Sequence, residues 1–323
     1  MKKLSLVLSM LAVATAPAWA AFQAGPVAAS TEGKGISFGG QVSLGMLNGE
    51  AKEHVYDYDS MDGSRRQLSR LDWDLKNVVM GGGNGSVRLL NRLTINGGVW
   101  LALTEGNDGE MDDYDWLDTT SSDWTHYSLS EVDVTQGYIV DVNAAWDLVV
   151  WNDLTARIYV GYKQNDWKWE DRGVYLLYPE YGYLPVDLDG ENMINYEQEF
   201  QIPYLGGSAD WALGNFTLTG YVTWSPIVSA TDWDEHVARD LHFKETFDGG
   251  DMLGAGLEAR YSFTQGSLKG AFVSAALDYQ DIDLIVGDME VENVASGDRG
   301  SDTDTAGVEN NYLLLSLGGG FQF

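Results

Sequence analysis

The chain has 323 residues, enough for one large domain or two ordinary ones, and it carries a formal net charge of -30 and no cysteine. The absence of cysteine excludes disulfides, thiol nucleophiles and thiolate metal sites. So acidic a chain disfavours nucleic acid as a partner and favours cations or basic peptides, although most of its acids fit solvated loops equally well.

Residues 1–20 have the pattern of a secretory signal peptide. Lys2 and Lys3 precede an apolar stretch, and Ala18-Trp19-Ala20 matches the A-x-A cleavage site. The apolar stretch is shorter than the roughly 20 residues that a membrane-spanning helix needs. We therefore expect an exported protein in which residues 21–323 form a single domain.

From residue 35 onward, hydrophobic residues recur with a period of two. In the last segment, Leu313, Leu315 and Leu317 share one face, while Ser316 and Gly318 lie on the other. This alternation is typical of strands in a transmembrane β-barrel. It predicts ten strands, at 35–50, 67–80, 87–104, 134–151, 154–168, 194–212, 215–231, 251–263, 267–282 and 309–323.

The connections between these strands alternate between short and long. Short turns are expected at Gly81–Gly85, Asn152–Asp153, Gly214–Asn215 and Gln265–Gly266. Long connections fall near 51–66, 105–133, 169–193, 232–250 and 283–308. Short periplasmic turns and long outer loops are usual in bacterial outer-membrane barrels.

Many of the predicted strands exceed the ~9–11 residues that a tilted strand needs to cross the bilayer. We therefore predict an all-β fold: a ten-stranded antiparallel transmembrane β-barrel in a Gram-negative outer membrane, projecting above the outer leaflet. Wide aqueous channels need ~16 strands, so a diffusion pore is disfavoured. Function is expected at the mouth of the barrel, facing the cell exterior.

Two short acidic motifs are candidates for chemistry: Asp113-Tyr114-Asp115 and Asp232-Trp233-Asp234-Glu235-His236. Successive side chains of a strand alternate between its faces, so the aspartates of each motif, and His236, can share the lumen face. Two carboxylates opposite a carboxylate–imidazole pair can hold and activate a water molecule. The competing interpretation is a solvated turn or loose cation site for the D-x-D motif, and an ordinary lumen residue for His236.

Other catalytic motifs are excluded. A G-x-S-x-G pattern at Gly35–Gly39 opens a strand and not a strand–turn–helix elbow. His236 and His242 are six residues apart and make a poor zinc pair, and the chain has no H-E-x-x-H and no P-loop. We expect no metal and no cofactor.

Short segments spread from Gly39 to Phe323 together resemble the omptin family of outer-membrane endopeptidases. They are Ser43-Leu44-Gly45, Lys52-Glu53, Gln67-Leu68, Leu71-Asp72-Trp73, 111–118, Ile202-Pro203-Tyr204, Asp234-Glu235-His236 and 307–312. The resemblance implies a ten-stranded barrel and a peptide-hydrolysing site at its mouth.

The resemblance also implies a set of catalytic residues. Asp113 and Asp115 match the family's aspartate couple, and Asp234 and His236 match its acid–histidine dyad. In omptins a water molecule held between the couple and the dyad attacks the scissile carbonyl. No covalent acyl-enzyme forms in such a mechanism.

Substrate contacts follow from the same resemblance. Glu53 and Asp232 match the acids at the floor of the S1 pocket, which select Arg or Lys at P1 by charge-assisted pairing. Some members carry an aspartate after a Trp-Thr pair that favours a basic P1′ residue, whereas here Trp124-Thr125 is followed by His126. A strict dibasic preference is therefore not expected.

Family members bind lipopolysaccharide, an activator, through basic residues on the outer wall. Tyr162 matches that site, but the matching basic positions read Asp166 and Glu199, which cannot pair with a lipid phosphate. Dependence on lipopolysaccharide is then either absent or supported by other residues, such as Lys163, Lys168 or Arg172.

The leading hypothesis is a monomeric outer-membrane endopeptidase that cleaves basic peptides or proteins, is surrounded by outer-membrane lipid and has no nucleic-acid partner. The main alternative is a barrel without catalysis, either an adhesin or a receptor for basic peptides. Cleavage of an arginine-containing fluorogenic peptide separates the two.

Overall fold

The computed structural model describes residues 36–58, 63–89, 92–103 and 109–323. The expected signal peptide lies outside these residues. The described strands are β1 Ile36–Tyr58, β2 Arg65–Leu89, β3 Leu93–Ala102, β4 Gly109–Asp115, β5 His126–Trp151, β6 Leu154–Leu177, β7 Val186–Asp187, β8 Ile194–Leu213, β9 Phe216–His236, β10 Leu241–Ser262, β11 Ala271–Asn293 and β12 Arg299–Gln322. Short 3-10 turns lie at Pro179–Tyr181, Val237–Arg239 and Gly266–Leu268. Within the described ranges, no helix is long and apolar enough to cross a membrane.

The strands close into a ring in which all paired neighbours run antiparallel. β1 pairs with β2 on one side and with β12 on the other, so the first and last strands seal the barrel. β3 and β4 both lie between β2 and β5 and together fill one position in the ring. β7 is a two-residue piece on the edge of β6. The ring therefore has ten positions, which confirms the predicted ten-stranded barrel.

The two ends of the barrel differ in their connections. At the lower end the chain turns tightly, with left-handed φ angles of 50° at Asn152 and 64° at Gly214, as expected for these two turns. Both ends of the ring also meet there, where Phe38 and Phe323 exchange backbone hydrogen bonds. Strands reach 26 residues, as in β5, far more than the ~9–11 needed to cross the bilayer. The upper part of the barrel therefore projects beyond the membrane.

The lower half has an apolar outer wall and a polar interior. Val42, Leu44 and Leu315 are among the large hydrophobic side chains exposed on the outside. Inside, the buried Arg157 guanidinium pairs with Asp147, with 2.8 Å between Nε and Oδ1. A narrow barrel whose interior is filled by paired side chains is the expected outcome for about ten strands.

A layer of aromatic rings fills the lumen where the barrel leaves the membrane. Trp73 stacks on Tyr196 with ring centroids 5.0 Å apart, and Trp169 lies against both. All three side chains are buried. Trp73 occupies the inward position directly below Leu71, so this layer forms a rigid base for the side chains above it.

The expected turn at Gly81–Gly85 is wrong. β2 continues to Leu89 in register with β3, and none of these glycines has a positive φ angle. Gly82 faces Trp100 so closely that a Cβ atom would lie 2.4 Å from the indole ring. Glycine is needed there for close packing within the sheet and does not form a turn.

The strands also extend into segments that were expected to be long loops. β1 continues to Tyr58, β5 begins already at His126, and β6 ends only at Leu177. In the opposite direction, β11 begins at Ala271 and not at 267, because the 3-10 turn Gly266–Leu268, which starts with a left-handed Gly266, precedes it. The longer upper strands supply the framework of the candidate site.

Candidate active site

The acids of the site project from two walls at the upper end of the barrel. On one wall Glu53 of β1, Leu71 of β2 and Asp113 of β4 form a row of cross-strand partners. On the other wall Asp232 of β9 is the direct partner of Glu245 of β10. Cross-strand partners project to the same side of a sheet, so each row presents its carboxylates to the lumen.

Asp113 and Asp115 lie on one face of β4, as expected from their spacing. The hydroxyl of Ser69 donates to Oδ1 of Asp113 at 3.2 Å, and the hydroxyl of Ser128 donates to Oδ2 at 3.3 Å. Burial raises the pKa of Asp113 to about 8, and repulsion from Asp115 adds to the effect. Burial also raises the pKa of Asp115. Such a pair shares a proton near neutral pH.

Asp234 and His236 form a close acid–imidazole pair at the end of β9. Nε2 of His236 lies 2.5 Å from Oδ2 of Asp234, and the ring packs edge-on against Phe243 with centroids 5.2 Å apart. Burial raises the pKa of Asp234 to about 8, while the positive charge of Arg239 opposes the increase. The carboxylate and Phe243 together fix the orientation of the imidazole, as general acid–base catalysis requires.

The positive charge of Arg239 acts on both the Asp113–Asp115 couple and the Asp234–His236 dyad. It ends the 3-10 turn after β9, and its Nη2 lies 3.3 Å from Nε2 of His236. Its charge lowers the pKa of Asp234, of Asp113 and of Asp115. One side chain therefore acts on all three of these carboxylates. Tyr196, the cross-strand partner of Asp234, stacks on Trp73 of β2 at 5.0 Å, so the strands that carry the couple and the dyad face one cleft. Sequence reasoning missed Arg239, for which the only signal was a basic residue three positions after His236.

Glu53 and Asp232 lie deep in the same cleft and are only 2% and 1% exposed. The hydroxyl of Tyr196 donates to Oδ2 of Asp232 at 3.0 Å, and Nε2 of Gln198 donates to the Tyr196 hydroxyl at 2.8 Å. Burial raises the pKa of Glu53 well above its usual value, and repulsion from Asp234, Asp232 and Asp113 raises it further. The structure thus brings these two predicted acids together beside the couple and the dyad.

Glu245 is a third buried carboxylate in this region, and sequence reasoning missed it. It is 0% exposed and lies opposite Asp232, with the two carboxyl groups in contact. Residues 232–250 were expected to form a long connection, and alternation was considered only for Asp232–His236, but β10 begins at Leu241 and turns Glu245 inward. In the described part of the chain, no group of three His, Asp or Glu side chains could hold a metal ion.

His126 lies at the start of β5, opposite Asp115 in register. Its Nδ1 is 2.9 Å from the Thr125 hydroxyl, and its Nε2 is 3.3 Å from the carboxylate of Glu180. The ring meets Tyr178 edge-on at 4.7 Å. His126 is therefore held beside the couple, and its outer edge is covered by the loop after β6.

The expectation that Lys163 could contact lipid is wrong. Tyr162 is exposed there, but the neighbouring Lys163 is buried and its Nζ donates to Gln280 in the lumen at 3.1 Å. Lys163 cannot reach a lipid headgroup, because alternation along β6 turns it inward. Lys168 and Arg172 do lie on the outer wall, each in an ion pair with an acidic side chain.

Comparisons with known proteins agree with this architecture. The sequence model of the omptin family matches residues 35–323. The plasminogen activator of Yersinia pestis is 32% identical over 289 residues, which are 89% of this chain and 90% of that protein. The outer membrane protease OmpP of Escherichia coli K12 is 28% identical over 231 residues, 69% of this chain and 72% of that protein. The crystal structure of the outer membrane protease OmpT from Escherichia coli has the same fold, with a TM-score of 0.82 at 22% identity, covering 91% of this chain and 100% of that one. The chain therefore belongs to the omptin family of outer-membrane proteases.

Proposed function

We propose that the protein is an endopeptidase that cleaves after Arg or Lys, using a water molecule held between the Asp113–Asp115 couple and the Asp234–His236 dyad. The observation that carries the proposal is the stack of Trp73 on Tyr196 across the lumen, which brings the strand of the couple and the strand of the dyad to one cleft. Relatives named as outer membrane proteases support the reaction class.

In this mechanism the dyad accepts a proton and the couple stabilises developing charge. His236 takes a proton from the water molecule as its oxygen attacks the scissile carbonyl carbon, and Asp234 stabilises the imidazolium. The couple holds the water on its other side, and its shared proton is available to hydrogen-bond the carbonyl oxygen as that oxygen becomes negative. The proton on His236 then passes to the leaving amine, so the peptide is hydrolysed without a covalent acyl-enzyme.

Glu53 and Asp232 would bind the cationic P1 side chain. Both are buried carboxylates within the cleft, and charge-assisted contacts to a guanidinium or ammonium are stronger there than in water. The net charge of -30 would steer basic peptides toward the barrel mouth. His126, beside the couple, would neither demand nor strongly reject a basic P1′ residue.

The oligomeric state, cofactor requirement and lipid contacts of the enzyme are also part of the proposal. We expect a monomer that needs no cofactor. Asp166 and Glu199 replace basic residues on the outer wall, so activity should not depend on a lipid phosphate bound at those two positions. Lys168 and Arg172 remain the candidates for any headgroup contact.

The test is cleavage of a mixed peptide library by protein refolded in detergent, with the products identified by mass spectrometry. We expect new C-termini at Arg and Lys and a broad range of residues after the cleaved bond. Binding of basic peptides without cleavage would support the receptor alternative instead. Cleavage without regard to charge at P1 would contradict the assignment of Glu53 and Asp232.

A further inference from the structure

Glu245 lies against the acids of the proposed P1 pocket. It is the cross-strand partner of Asp232 and is fully buried. Neither of its carboxylate oxygens receives a hydrogen bond from a donor in the described structure. Glu53, on the opposite wall, is close enough to repel it. A buried carboxylate with no donor and two acidic neighbours is costly unless a cation or protons join it.

The number of carboxylate oxygens without a partner indicates which cation fits the pocket. Four carboxylate oxygens of this trio receive no hydrogen bond from a described group outside the trio: Oε2 of Glu53, Oδ1 of Asp232, and both oxygens of Glu245. A guanidinium offers five N–H donors in a planar fork, whereas an ammonium group offers three from a single point. Arginine can therefore satisfy more of these oxygens at once than lysine can.

We infer that Glu245 is a specificity-determining residue, the third carboxylate of the P1 pocket, and that it makes the pocket select Arg over Lys. The inference rests on the proposed function, because it assigns Glu245 to the same pocket as Glu53 and Asp232. Without substrate, the trio limits its charge by holding protons. Burial, with repulsion from Asp232 and Glu53, raises the pKa of Glu245 well above its usual value. An entering guanidinium displaces these protons.

The experiment compares Glu245→Gln with wild type on two peptides that differ only in Arg or Lys at P1. We expect kcat/KM for the Arg peptide to fall roughly ten- to a hundred-fold, mainly through KM, because one charge-assisted contact is lost. The Lys peptide should lose only a few-fold, so the Arg/Lys ratio should shrink about ten-fold. The matched control is Glu235→Gln, which removes the same charge but lies on the outer face, where Glu235 contacts Asn195 and His242. It should keep the wild-type ratio.

A second measurement keeps the inference testable even if Glu245→Gln folds poorly. In wild type, competitive inhibition by arginine amide should weaken as the pH falls, because protons compete for the trio. Inhibition by lysine amide should be weaker at every pH. Equal inhibition by the two amides, or equal losses for the two peptides in Glu245→Gln, would overturn the role of Glu245. If wild type cleaves after neither Arg nor Lys, the proposed function itself fails, which is a separate outcome.

Discussion

Nη2 of Arg239 lies 3.3 Å from Nε2 of His236, the same ring nitrogen that is 2.5 Å from Oδ2 of Asp234. One nitrogen cannot donate to Asp234 and accept from Arg239 at the same time. The guanidinium therefore acts on the imidazole as a neighbouring charge, and it lowers the pKa of Asp234. The enzyme thus carries its own cation at the edge of an acidic cleft.

Replacing Arg239 by Gln should move the acidic limb of the pH–activity profile to higher pH. Arg239 lowers the pKa of Asp113, Asp115 and Asp234, so its loss raises them, and these carboxyl groups then lose their protons at higher pH. We expect a shift of roughly one pH unit in kcat/KM. Arg299→Gln, at an exposed pair with Glu292, is the control and should not move the limb. An unchanged limb in Arg239→Gln would show that the guanidinium does not act on these carboxylates.

The four proposed catalytic residues should be individually essential. Asp113→Asn, Asp115→Asn, Asp234→Asn and His236→Ala should each lower kcat by ~10²–10⁴, the usual effect of removing a positioned acid–base group. Asp112→Asn is the matched control, because Asp112 accepts a hydrogen bond from Tyr127 on the other face of β4. Circular dichroism and heat-dependent gel migration report whether each barrel is intact. Near-wild-type turnover by a correctly folded His236→Ala protein would rule out the dyad.

The buried carboxylates predict that the folded protein loses stability as the pH rises. The pKa of Asp232 is raised to about 8 by burial, above the ~3.9 of an unfolded aspartate. Such a group stabilises the folded state fully below its unfolded pKa, and this stabilisation is lost as the pH rises through the folded value. Asp232→Asn should therefore match wild type near about pH 4 and exceed its Tm near about pH 8. Thermal unfolding in detergent at several pH values measures this, and a difference in Tm that is independent of pH would contradict it.

The fold could be predicted from the sequence where lipid lies outside the barrel and polar groups lie inside it. There Leu315 faces out and Ser316 faces in, so hydrophobicity alternates along the strand. Above the membrane the outward side of a strand meets water, and its inward side mixes buried charged residues with aromatic ones. Lys244 and Thr246 face solvent while Glu245 is buried, and the pattern of hydrophobicity disappears although the strand continues.

The candidate site was only partly predictable for the same reason. Asp113, Asp234 and His236 belong to short motifs. Their spacing alone placed the aspartates of each motif, and His236, on one face of a strand. Glu245 and Arg239 lie outside these motifs, and their roles depend on which strand lies beside β9 and on how the chain turns after it. Register and turn geometry are properties of the folded sheet that local spacing does not contain.

His126 should allow a broad range of residues at P1′. Its ring lies opposite Asp115 in register, and the nearby Glu180 is exposed. An exposed acid contributes little, so wild type should show at most a weak preference for a basic P1′ residue. His126→Asp should increase kcat/KM for P1′ Lys or Arg by roughly ten-fold relative to P1′ Ala, because a carboxylate beside the couple adds a charge-assisted contact.

The Glu180→Gln substitution tests whether Glu180, and not residue 126, sets the preference at P1′. It should leave the P1′ profile almost unchanged in wild type, and the gain in His126→Asp should persist when both substitutions are combined. The measurement is the P1′ distribution of products from a peptide library with Arg fixed at P1. A wild-type profile already confined to dibasic sites would contradict the role given to His126, and loss of that confinement in Glu180→Gln would assign the P1′ acid to Glu180 instead.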